Sequence, residues 1–135
     1  MLPVVSHAKT GRVYVNAAID SIAIFIGQQV NLTVDVTADR GAKIAYPTFE
    51  RAQFITPGVE VLRTSDADTS LIDNGMMTVS KTFTLTSFDE KLYAIPGMKV
   101  SVDGKVYAAN QLALKVLSVE VDTLHLDKFF PPKDV

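Results

Sequence analysis

The clearest pattern along the chain is an alternation in which Val30, Leu32, Val34 and Val36 are apolar and Asn31, Thr33, Asp35 and Thr37 between them are polar. Successive side chains of a strand point to opposite faces, so this run predicts a central strand with one face in a core and the other in water. Upstream, Val13, Val15, Ala17 and Ile19 share one parity, whereas Ile22, Ile24 and Ile26 share the other. The apolar side therefore changes between Asp20 and Ser21, as it must where one strand leaves a sheet to join another. Gly27 closes that segment.

Ala38 to Gly41 reads as a turn, and Lys43 to Tyr46 as a short strand limited to an edge by Pro47, which has no ladder donor. Phe49 and Phe54 are expected to anchor the segment that crosses between layers. Val59 and Val61 predict a further short strand. Asn74-Gly75 suits a type I′ turn leading into a long strand, with Met77, Val79, Phe83 and Leu85 on one side and Thr78, Ser80, Thr82, Thr84 and Thr86 on the other. Lys81 breaks that parity, so either its stem snorkels at the rim or a bulge shifts the register.

Residues 87–107 read as a corner, a strand, a two-residue turn and a returning strand. Asp103-Gly104 fits a type I′ turn, whose two positive φ angles match the twist of the flanking strands. Tyr93 stands where a corner tyrosine could close the end of a sandwich with its hydroxyl, and Pro96 interrupts the strand that follows. Leu112, Leu114 and Val116 form the last strand. Leu117, Val119 and Val121 then take the opposite parity, which predicts a bulge near Val116.

No window sustains a helical stripe that does not equally fit a strand, and turn signals recur every ~8 to 12 residues. The fold class is therefore all-β, an immunoglobulin-like antiparallel β-sandwich of about 7–9 strands. Residues 12–121 form that domain, with an N-terminal tail over 1–11 and a C-terminal linker over 122–135. A chain of 135 residues with 47% hydrophobic content can bury one core without staples.

The net charge of -2, with signs interspersed, favours neither nucleic acid nor an anionic membrane as partner. The absence of cysteine excludes disulfides, thiolate metal sites and a cysteine nucleophile. The start lacks the basic and apolar regions of a leader, and no apolar run approaches the ~18 residues of a spanning helix. The chain as given is expected to be soluble. Its end, from Thr123 with Phe129, Phe130, Pro131 and Pro132, resembles a linker, which suggests an excised fragment whose gene continues into another β-rich domain and a membrane anchor.

Side chains able to carry chemistry are few. His7 and His125 lie in the terminal segments with no ligand spacing between them, so they read as solvated tail residues. Asp66, Asp68 and Asp73 resemble part of a calcium loop but lack its bidentate glutamate, and fit a polar turn. Asp89 and Glu90 are adjacent and would point apart rather than converge across a glycosidic bond. Ser6, Ser80 and Ser87 have no nucleophile elbow, and no Gly-rich phosphate loop precedes a helix. Asn31-Leu32-Thr33 matches a glycosylation sequon, a pattern common by chance. Tyr14, Tyr46, Tyr93 and Tyr107 could form a sugar-stacking platform if several faced outward together, which makes a carbohydrate-binding module the alternative reading. No catalytic, cofactor or metal residue is assigned, and no enzyme is expected.

Two stretches carry a family resemblance. The first is Ile24-Phe25-Ile26-Gly27-Gln28-Gln29 before Val30-Asn31-Leu32-Thr33-Val34. The second joins Phe88 and Leu92-Tyr93-Ala94-Ile95-Pro96 to Val100-Ser101-Val102-Asp103-Gly104-Lys105-Val106-Tyr107 and Gln111-Leu112-Ala113-Leu114-Lys115-Val116. Over most of residues 12 to 121 the chain resembles the N-terminal extracytoplasmic part of BatD-type oxygen-tolerance proteins of Gram-negative bacteria. The resemblance implies a periplasmic or extracytoplasmic module anchored through parts of a larger protein not present here. It further implies protein partners in the envelope, among them von Willebrand A domain proteins.

Overall fold

The computed structural model describes residues 12–50 and 53–118, and among them every regular element is a strand. The alternating run predicted around Val34 is β3 (Gln29–Asp39), flanked by β1 (Tyr14–Ile19) and by the long β8 (Met76–Thr86). β6 (Val59–Thr64) and β5 (Gln53–Thr56) continue the sheet beyond β8, giving the order β1-β3-β8-β6-β5, and β7 (Asp68–Ile72) pairs with the first half of β8. β6 and β7 thus run as one interrupted strand along β8, antiparallel throughout.

The second layer consists of two three-stranded sheets. One has β2 (Ala23–Phe25), β12 (Leu112–Leu117) and β9 (Lys91–Ile95); the other has β11 (Lys105–Ala108), β10 (Lys99–Val102) and β4 (Ile44–Ala45). β9 with β10, and β11 with β12, are the two arms of a single long hairpin. Its ladder breaks where Pro96 offers no donor, and a backbone bond from Ala109 N to the Met98 carbonyl, 2.8 Å, holds the arms together across the break.

The parity change at Asp20 is the sheet switch it implied. β1 pairs antiparallel with β3 in the first layer, whereas β2 pairs parallel with β12 in the second. That parallel pair is a departure from an all-antiparallel scheme. The chain folds as an immunoglobulin-like sandwich, but with twelve strands among the described residues rather than about 7–9. Breaks between β1 and β2, β6 and β7, β9 and β10, and β11 and β12 account for the excess, since each divides one run of chain into two ladders.

Both inner faces meet in one core. Val30, Leu32, Val34 and Val36 of β3 and Phe83 and Leu85 of β8 are buried with Ile95, Val100, Leu114 and Val116 from the opposite layer. Phe83 is fully buried, with the Phe49 ring edge-on at 5.8 Å and the Tyr46 ring at 6.3 Å. Phe49 anchors the crossing segment as expected. Phe54 does not: it sits on the edge strand β5 and is 58% exposed. Ile22 is likewise exposed, because it lies in the switch before β2 has joined its partner.

Lys81 settles its own alternatives. The β3–β8 register passes through Val34 and Lys81 without a shift, so no bulge intervenes. Its side chain keeps the inward parity, is half-buried, and carries its Nζ over the Tyr46 ring at 5.5 Å. The bulge expected near Val116 is absent among the described residues, since β12 keeps its register with β9 through Val116 and with β2 through Leu117. Val119, Val121 and the tails over 1–11 and 122–135 lie outside the described residues.

Asp103 and Gly104 have φ of 51° and 85° in a two-residue loop joining the paired Val102 and Lys105, as a type I′ turn requires. Asn74 and Gly75 also have positive φ, 66° and 72°. Their loop includes Asp73 as well, because Ile72 pairs with Met76.

Candidate interaction surface

The side chains singled out for chemistry do not converge. His7, His125 and Ser6 lie outside the described residues. Asp66, Asp68 and Asp73 are exposed along β7 and its turn, and no group of three potential metal ligands occurs among the described residues. Asp89 and Glu90 are exposed at the corner before β9. Ser80 donates to the Asp35 carboxylate across the β3–β8 pair, and Ser87 donates to the Tyr93 hydroxyl at 3.2 Å.

The tyrosines are dispersed. Tyr93 is buried, and its hydroxyl reaches back to the Asp89 carbonyl at 3.5 Å, the closure expected of a corner tyrosine. Its ring lies against Gly58, where a Cβ would stand 2.6 Å from the phenol oxygen. Tyr46 directs its hydroxyl inward, where the carbonyls of Val34 and Val79 accept at 2.9 and 2.7 Å. Burial, and secondly the nearby Asp35 charge, push its pKa up to about 12. Tyr107 packs against the core, and Tyr14 is the one of the four that is largely exposed. These rings form no common platform.

The threonine-rich outer face of β3 and β8 is occupied with itself. Thr33 bonds Thr82 at 3.3 Å and Thr37 bonds Thr78 at 3.0 Å. Thr84 donates to Asn31 Oδ1 at 2.8 Å, which also engages the sequon asparagine, and Thr86 donates to the Gln28 carbonyl. Each of these β8 hydroxyls is satisfied by β3 or by the turn that leads into it, so the face is polar but chemically quiet.

What remains is strand backbone at the sheet edges. An edge strand offers unpaired N–H and C=O groups to any other strand, and proteins blunt such edges with charges, prolines, short strands or caps. β1 is clamped by the Asn110 amide, which bonds both N and O of Ala17. β2 has its Ala23 and Phe25 amides capped by Ser21 Oγ at 3.3 Å and Gln28 Oε1 at 2.8 Å. β4 is two residues long and ends near Pro47, and β5 is short and carries a register shift between Phe54 and Thr56. β11 begins with Lys105, and β9 begins with Lys91 and stops at Pro96.

β7 is short but otherwise lightly guarded, its one charged residue being the acidic Asp68. It contains no Lys, Arg or Pro, its register with β8 is unbroken, and all five of its residues are exposed, including Leu71 at 65%. A second surface of interest is the outer side of β9 and β12, where Leu92, Ala94, Gln111, Leu112 and Ala113 line an open apolar cleft of about 420 Å³. Asp66, Asp68 and Asp73 fit a polar turn in the sequence, whereas the structure has β7 there, because a strand exposed on both faces carries no alternation.

The family model for BatD, described as the BatD DUF11 like domain, matches residues 17–116, which span every strand from the end of β1 to nearly the end of β12. No curated protein matches the chain.

Proposed function

The chain belongs to the BatD family, and from that premise we propose that it is a non-enzymatic protein-interaction module of the cell envelope. The supporting observation is where its polar chemistry goes. The hydroxyls and amides of the outer face bond one another, the carboxylates stay apart, and the groups left facing outward are strand edges and an apolar cleft. Such a surface recognises other chains by backbone pairing and apolar contact rather than by transforming a substrate.

Among the described residues no helix is long and apolar enough to cross a membrane. From the family association we take an extracytoplasmic position for the domain and anchoring through other segments of a larger protein. Its partners are envelope proteins, with those carrying von Willebrand A domains as the first candidates. The test is co-purification of the tagged full-length gene product from envelope extracts of its host. Recovery of von Willebrand A proteins in stoichiometric amount is the expected result, and a preparation carrying no envelope protein would overturn the reading.

A further inference from the structure

We propose that the outer edge of β7 receives an extended strand from a partner protein, and that this strand carries Lys or Arg opposite Asp66, Asp68 and Asp73. The inference rests on the interaction reading above and adds to it the surface and the chemistry of the partner.

The edge is open for a structural reason. β6 and β7 lie end to end along β8, and β5 covers only the β6 part, through Gln53 with Val61 and Thr56 with Val59. Beyond Arg63 the outer side of this run has no strand beside it among the described residues. A strand ~4.8 Å away would therefore extend the first layer next to β5. It would also shelter Leu71, which shares a face with the buried Met77 and Val79 but is itself mostly exposed.

The edge is also held in place. Arg40, from the turn after β3, donates through Nη2 to the Ile72 carbonyl at 2.8 Å and through Nε to the Met76 carbonyl at 3.2 Å. Arg12 donates to the Asn74 carbonyl at 2.7 Å and pairs with Asp39 at 3.1 Å. With both ends of the turn tied down, the β7–β8 hairpin presents a preorganised edge, and an incoming strand need not order it.

Charge selects the occupant. Asp66 and Asp68 stand at one end of β7 and Asp73 at the other, all exposed, and among the described residues none of the three has an ion-pair partner. A second copy of β7 laid along this edge would double the acidic count, with only Arg12 and Arg40 at the turn to offset it and, among the described residues, no cation paired with Asp66 or Asp68, so self-pairing is disfavoured. A strand with basic residues at its ends and small or branched apolar residues between them meets both the charge and the exposed Leu71.

The test uses the whole chain, ¹⁵N-labelled, titrated with two nine-residue peptides. Both alternate Val and Thr; one carries Lys at its ends and the other Glu. The proposal expects the Lys peptide to shift the amides of residues 68–72 and to bind at least tenfold more tightly than the Glu peptide. In the Asp68→Lys, Asp73→Lys variant, whose changes are on the surface, that preference should reverse. Shifts centred on the β9–β12 cleft, equal binding by the two peptides, no binding, or concentration-dependent self-association through residues 68–72 would each overturn it. None of those outcomes touches the interaction reading, which is decided separately by the co-purification.

Discussion

The side chain of Asn110 is hydrogen-bonded to both backbone groups of Ala17, its Oδ1 accepting from Ala17 N at 2.8 Å and its Nδ2 donating to the Ala17 carbonyl at 3.0 Å. One amide thus imitates a strand at the edge of β1. It also ties the first layer to the break before β12, near where the chain passes from β1 to β2. Asn110→Ala leaves a partly buried N–H and C=O without partners, which should cost ~1 to 3 kcal/mol in urea denaturation. Asn110→Asp keeps the acceptor and loses the donor, and should fall between wild type and Ala.

Gly58 and Gly104 both have left-handed backbones, with φ of 93° and 85°, but different surroundings. At Gly104 no atom lies within 4 Å of an added Cβ, whereas at Gly58 the Tyr93 phenol oxygen is 2.6 Å away. Gly104→Ala should therefore cost only the backbone term of ~1 to 2 kcal/mol. Gly58→Ala should cost measurably more, and Tyr93→Phe in the Gly58→Ala background should recover part of the difference. Equal losses at the two glycines would show that the Tyr93 ring moves aside freely.

Tyr46 makes stability depend on alkaline pH. Its folded pKa is raised to about 12, so between the ordinary tyrosine value near 10 and that point the unfolded chain loses the proton while the folded one keeps it. The tyrosine's contribution is complete below pH ~10 and declines as pH rises toward 12. At this half-buried site, with solvent screening allowed for, the decline amounts to ~1 kcal/mol. Denaturation midpoints at pH 9 and 11.5 should converge for wild type and Tyr46→Phe to the extent that this linkage operates. A difference independent of pH would remove it.

Strand parity made much of this fold legible in the sequence. β3 carries it in full and β8 everywhere but at Lys81, the reversal at Asp20 located the sheet switch, and Asp103-Gly104 fixed the last hairpin. Each miss has its own physical cause. Ile22 and Phe54 are apolar yet exposed, because parity tells which side a residue takes but not whether another layer covers that side. The four breaks that raise the strand count are set by where ladders lose partners, which only the assembled sandwich determines. The Asn110 clamp joins residues 93 positions apart through one side chain, with no periodic trace. β7 was hidden for the opposite reason: with both faces in water, its sequence had no cause to alternate.

Leu71 tests whether β7 is needed for the fold or for contact. It is largely exposed, so Leu71→Thr should change the unfolding free energy by less than ~0.5 kcal/mol. The same substitution should weaken partner capture by the full-length protein. A stability loss as large as those of buried positions would show that Leu71 belongs to the core.

The central claim is that the domain works by contact, and that β7 is where contact is made. The most direct measurement is photo-cross-linking in the native host, with a photoreactive residue placed at Ser70 on β7 or, for comparison, at Thr33 on the self-bonded outer face. The account predicts a cross-link from position 70 to a specific envelope protein carrying a von Willebrand A domain, and none from position 33. Cross-links from position 33 alone, or from neither position under conditions where the protein is assembled, would contradict it.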